Sequence, residues 1–150
     1  MAIATVLNSL NFEVIKQSPT LIKMEYTAQI LILIYIIITF LYSATEKIFQ
    51  WKQSIDYYQS HFKNTFMEKF IPPSLLLVIF MEVITVILSL IGIYNLIQFN
   101  DKTFGYYGLV IAAITLLGLM IGQRIAKDYN GAMLITVYFI LTVFGIFLMQ

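Results

Sequence analysis

Four long apolar intervals divide the chain. Twenty residues without a charge separate Glu25 from Glu46, twenty-one separate Lys102 from Arg124, and twenty-two uncharged residues run from Tyr129 to Gln150. The fourth interval, "IPPSLLLVIFMEVITVILSLIGIYNLI" at 71 to 97, is as apolar as the others except for Glu82. About twenty residues at about 1.5 Å each cross roughly 30 Å of hydrocarbon as a helix. The pattern predicts helices over about 26 to 45, 73 to 97, 105 to 122 and 131 to 149. Strict alternation of apolar and polar residues is absent, and in lipid every backbone group must find its partner within the segment, so helix is expected over strand.

Between the first two spans the period changes. In "SIDYYQSHFKNTFMEKF", Ile55, Tyr58, Phe62, Phe66 and Phe70 recur every three or four residues, with Asp56, Ser60, Lys63, Asn64 and Glu68 at the other positions. This is the pattern of an amphipathic helix, lying either on the membrane surface or flat over the mouth of the bundle. Pro72 and Pro73 end it and suit the first turn of the next helix. Residues 1 to 24 mix apolar and polar positions, are broken by Pro19 and read as a peripheral or interfacial segment, with residues 25 to 150 forming the transmembrane domain. Glu13 and Glu25, with no early basic cluster, argue against a cleaved leader. The expected fold is therefore an all-α membrane protein, a four-transmembrane-helix bundle with an amphipathic interfacial helix between helices 1 and 2.

Composition strengthens the membrane reading. The 150 residues are 60% hydrophobic and 11% charged, with a mean hydropathy of +0.86, far from an ordinary soluble domain. The absence of cysteine excludes thiol and disulfide exchange by this chain. The single His61 has no second histidine or acidic cluster beside it in the sequence, so no metal or haem site is expected and no covalently bound cofactor. A net charge of +1 with scattered lysines gives no reason to expect a nucleic-acid partner. No Gly-rich phosphate loop or nucleophile-and-base pair is evident, and catalysis by this chain alone is not expected.

Glu82 lies nine residues beyond Pro73, roughly 14 Å below the surface from which the first and third loops emerge. An ionised carboxylate facing lipid at that depth costs at least a few kcal/mol, so it is expected to face the bundle interior. Ser74, Thr85, Ser89 and Gly92 share a broad stripe with Glu82, and span one offers Tyr35, Thr39, Tyr42, Ser43 and Glu46 at three- or four-residue steps. Lys47 ends span one and Arg124 ends span three on the side nearer Glu82. The candidate intramembrane cluster is thus Glu82, Lys47, Glu46, Arg124, Tyr42, Ser43 and Thr85. A cation as partner keeps Glu82 ionised, whereas hydroxyls alone leave it protonated and able to donate to a ligand carbonyl. A register-fixing hydrogen bond or ion pair is the plain alternative to a ligand site. Gly108, Ala112, Gly118 and Gly122 mark a small-residue face on span three that permits close helix approach. "GQRIAKDYNGA" reads as the last turn, punctuated by Asn130 and Gly131.

"SATEKIFQWKQSIDYYQ" at the end of span one, proline followed by an apolar run containing Glu82, and "GQRIAKDYNGA" resemble the DoxX family of small four-helix membrane proteins over about residues 26 to 150. That resemblance implies association with membrane redox systems, the best-known relative being a subunit of a thiosulfate:quinone oxidoreductase. By resemblance, Lys47 matches the family's lysine after span one and Glu82 its acidic residue in span two. Ser43 to Thr45 depart from the pattern, where many relatives carry a glycine.

Three functions follow as expectations. The first is a non-catalytic accessory subunit of a membrane redox or respiratory assembly that helps to hold quinone or lipid near Glu82. A small-molecule binding or transport module with a polar intramembrane site is the second, marked by an enclosed cavity reaching Glu82. An autonomous quinone-linked oxidoreductase is the third. Expected partners are membrane lipids and other integral membrane subunits or further copies of the chain, in a bacterial cytoplasmic membrane. Lys47, Lys52, Lys63, Lys69, Arg124 and Lys127 outnumber Lys16, Lys23 and Lys102 across the membrane, which places the first and third loops in the cytoplasm and both termini outside.

Overall fold

The structure, a computed structural model, describes residues 26 to 150; the segment 1 to 24 treated above as peripheral lies outside them. Its helices are α1 (Thr27–Phe49), α2 (Trp51–His61), a 3-10 turn (Glu68–Phe70), α3 (Ile71–Phe99), α4 (Thr103–Ile125) and α5 (Tyr129–Met149). No strand occurs among the described residues. Four of the helices are long and apolar enough to cross a membrane, α3 together with the turn that precedes it. The protein is an all-α helical bundle of multi-pass membrane type.

Chain order fixes an up-down arrangement in which α1 packs on α3, α3 on α4, α4 on α5, and α5 closes more lightly on α1. The core runs through Leu33, Ile36, Phe40, Leu96, Leu109, Ala112 and Leu116. Large apolar residues such as Ile38, Leu76, Phe80, Ile140 and Phe147 face outward, as helices solvated by lipid require. The closest approach is between α3 and α4. A Cβ on Gly92 would stand 2.5 Å from the Gly105 Cα, and one on Gly108 would stand 2.9 Å from Ser89 Oγ. The small-residue face of α4 therefore centres on Gly105, Gly108 and Ala112. Gly118, assigned to it from spacing, is exposed, and nothing lies within 4 Å of where its Cβ would be.

Turns are set by local chemistry. Asn100, at φ 54°, ends α3 in the left-handed conformation that asparagine tolerates. Asp101 then accepts from Thr103 N (3.0 Å) and Thr103 Oγ1 (2.6 Å). The hydroxyl bond first, and the amide bond second, hold its carboxyl below the usual carboxylate range. Lys127, at φ 62°, ends the turn after α4, and Asp128 caps α5 by accepting from Gly131 N at 2.8 Å. The turn is thus 126 to 128, and Asn130 and Gly131, expected as its punctuation, already belong to the first turn of α5.

The amphipathic segment differs from its expected length. Helix α2 starts four residues earlier than Ile55 and stops at His61, because Asn64 turns left-handed at φ 65° and breaks the period. Phe62 is buried over Gly122, while Phe66 and Phe70, expected on the same stripe, are 70% and 57% exposed. His61 Nε2 lies 3.0 Å from Gln123 Oε1 and 3.7 Å from Asp128 Oδ2, with Tyr57 stacked on its ring. These contacts lay α2 across the bundle mouth.

Candidate functional site

The buried face of α3 reads Leu75, Ile79, Glu82, Thr85, Val86, Ser89, Gly92 and Leu96, the repeat that keeps one side of a helix inward. Glu82 is 1% exposed on that face. Lys47 stands in the last turn of α1, and because helical side chains lean toward the N-terminus, its stem runs back into the bundle. Its Nζ lies 2.9 Å from Glu82 Oε1 and 3.3 Å from Oε2, and it also donates to the Ser43 carbonyl oxygen at 3.2 Å and to Ser43 Oγ. Ser43 Oγ donates in turn to Glu82 Oε1 at 2.8 Å. The ammonium hydrogens are all engaged, and Lys47 is only 7% exposed. Taking such a pair out of water costs several kcal/mol per ion before their attraction and hydrogen bonds offset it.

Depth depends on the helix from which it is counted. Glu82 is eleven residues from Ile71, about 16 Å along α3. Its partner Ser43 is six residues from Phe49, about 9 Å along α1. The first five residues of α3 therefore rise above the end of α1, and α2 occupies the step.

Three spaces meet this cluster. A polar cleft of about 520 Å³ between α1 and α2 is lined by Ser43, Glu46, Lys47, Gln50, Tyr57 and Tyr58, among others. An apolar cavity of about 100 Å³ under Phe62 and Met67 reaches Lys47 and Tyr58 from the α3–α4 side. A third, of about 110 Å³, lies among all four long helices and is bounded by Glu82, Ser43, Thr39, Leu119 and Tyr138. Burial raises the Tyr58 phenol above its ordinary value, and the negative charges of Glu82, Tyr57 and Glu46 add to the effect.

Of the residues expected to cluster, Glu82, Lys47 and Ser43 come together. Glu46 is exposed at the cleft. Tyr42 is 72% exposed, turned away from the interior. Arg124 is exposed with its guanidinium 5.6 Å over the Tyr129 ring, and does not pair with Glu82. Its reach inward fails because it lies five residues past the cavity-lining Leu119, about 140° around the helix. Thr85 is fully buried on the Glu82 face, yet its hydroxyl and that of Ser89 find no hydrogen-bond partner among the described residues. The polar stripe expected on α1 runs beside the buried face, which is Gln29, Ile32, Leu33, Ile36, Phe40, Ala44 and Lys47.

Tyr58 was legible only as one member of an apolar stripe; Gln50, Ser54 and Tyr58, four residues apart, are the spacing that places it on the face turned to Lys47. Among the described residues, no group of three or more His, Asp and Glu side chains converges in a way that could hold a metal ion. Comparison of the chain with protein-family models, with curated proteins and with solved structures found no match.

Proposed function

We propose that this protein is a membrane binding module, an accessory subunit of a membrane redox assembly, that holds a lipid-soluble ligand with a polar head, a quinone or a lipid, beside Lys47 and Glu82. One observation carries the reading: a buried ion pair stands where a polar cleft and two apolar cavities converge. A pair needed only to fix helix register has no use for such surroundings, and an apolar replacement of similar volume is often as stable. Concave spaces lined mainly by apolar groups, with a few convergent polar ones, are the usual form of small-molecule sites. The resemblance to DoxX proteins in "SATEKIFQWKQSIDYYQ" and around Glu82 supports the redox assignment and a bacterial cytoplasmic membrane.

The cavity bounded by Glu82 and Tyr138 favours a second reading, a binding or transport module that works without a partner. The two are separated by gentle purification from the native membrane. Co-purifying subunits together with a lipid-soluble species, the latter lost in Glu82→Gln and Lys47→Met, support the accessory role. A ligand without subunits supports the second reading. Neither subunits nor ligand, from wild-type protein that remains folded, refutes both.

A further inference from the structure

Lys47 and Tyr58 stand in the walls of two spaces of opposite character. On the α2 side, the cleft offers amides and hydroxyls from Gln50, Gln53, Ser54 and Tyr57 and one carboxylate, Glu46. The Lys47 hydrogens are already engaged by Ser43 and Glu82. A phosphate head entering this cleft meets Glu46 and an occupied ammonium. An uncharged carbonyl or hydroxyl head meets donors and acceptors it can use.

On the other side, the apolar space is bounded by Leu75, Val78, Leu119, Gly118 and Gly122. Gly118 sits on the outward face of α4 between exposed Ile114, Leu117 and Ile121. Of the seven glycines, it alone has nothing within 4 Å of where a Cβ would stand. A glycine inside a helix lowers helix stability relative to alanine, and no neighbour in the chain requires this one. What its missing side chain leaves is an opening from the apolar space to the bilayer.

Resting on the binding reading above, we infer that the ligand is an amphiphile with an uncharged hydrogen-bonding head, and that it reaches the site sideways from the bilayer. Its head lies in the cleft beside Tyr58, and its chain passes between α3 and α4 and leaves past Gly118. Lys47 is held by Ser43 and Glu82, so Tyr58 is the side chain that turns to let the chain through.

The test uses the full chain in phosphatidylcholine nanodiscs with a monoacylglycerol that carries a photoactivatable diazirine in mid-chain. Adducts are expected on α3 around Ser74 to Val78 and on α4 around Gly118 to Gln123, above the background on the lipid-facing side of α5. A Cβ at 118 meets nothing within 4 Å, and the rest of the leucine enters the apolar space lined by Leu75, Val78 and Leu119, so Gly118→Leu should leave the unfolding temperature unlowered. It should reduce those adducts by about tenfold, the change expected from displacing roughly two buried methylenes, with α5 labelling unchanged. The same chain on a phosphate head should label only at background. Undiminished adducts in Gly118→Leu overturn the lateral path, and equal labelling by the phosphate probe overturns the uncharged head. If a co-purifying ligand still depends on Lys47 and Glu82 while Gly118→Leu has no effect, the path alone is wrong. If no ligand depends on either residue, the binding reading fails as well.

Discussion

Glu82→Gln removes one charge from a pair in which Glu82 is 1% and Lys47 7% exposed. Breaking a fully buried pair costs about 3–5 kcal/mol, because it leaves a charge without its partner. Lys47 keeps both Ser43 acceptors, and the glutamine oxygen can replace Oε1 at its 2.9 Å contact, so the expected loss is at the low end, about 3 kcal/mol. At about 2–4 °C per kcal/mol for a chain of this size, that is a fall of about 6–12 °C in the unfolding temperature. Replacing both partners, Lys47→Met with Glu82→Leu, leaves no orphaned charge and should return stability to within about 1 kcal/mol of the wild type. Ser43 then bonds a carbonyl one turn back, as Thr39 does to Tyr35. Thermal unfolding followed by circular dichroism, at fixed detergent and pH, measures all three proteins. A fall below about 2 °C for Glu82→Gln, under 1 kcal/mol on the same scale, refutes the energetics. So does a double variant as unstable as the single one.

Gly92→Ala should destabilise by about 1–3 kcal/mol, since its Cβ meets Gly105 backbone at 2.5 Å, whereas Gly118→Ala should be neutral or stabilising; equal effects in an unfolding assay contradict the α3–α4 packing. Thr85→Val should raise stability by about 1 kcal/mol because the buried hydroxyl has no partner to lose, and a loss of stability would reveal one. Tyr58, raised above 10.0 by burial first and by Glu82 next, keeps its proton when the unfolded chain has released it. Its contribution is therefore full below about pH 10 and lost as pH rises through the folded value. Tyrosinate absorbance of wild type minus Tyr58→Phe should show that step above the ordinary range, and a step at or below it refutes the burial of Tyr58.

Spans were legible because lipid solvation makes a charge-free interval of twenty residues a sufficient signal, and Glu82 was expected to point inward because a carboxylate facing lipid costs at least a few kcal/mol. Helix phase is what the same reasoning missed. Arg124 and Tyr42 were grouped with Glu82 by level in the membrane, yet one lies about 140° from the lining residue of its own helix and the other one residue off Ser43. The end of α2 was hidden because Asn64, a left-handed turn residue, occupies a position that also fits the polar side of an amphipathic helix. Gly92 was legible as part of the inward stripe of Glu82, but the sequence does not show that Gly105 is the glycine it faces. Ser43 shows the converse, a residue at the edge of a stripe that turned out to touch both ions.

Helix α3 has 29 residues, about 43 Å, against 21 to 23 in the other spans, about 32–35 Å. In a bilayer about 30 Å thick such a rod must lean or protrude. Because α2 rests in the step where α3 overtops α1, the roof of the Lys47 site is carried by the longest of the four spans. A thicker bilayer takes up more of that length, so the overhang of α3 above α1 is expected to shrink as bilayer thickness grows. The polar cleft lies beneath that overhang, and its width is expected to vary with the thickness of the bilayer around the protein.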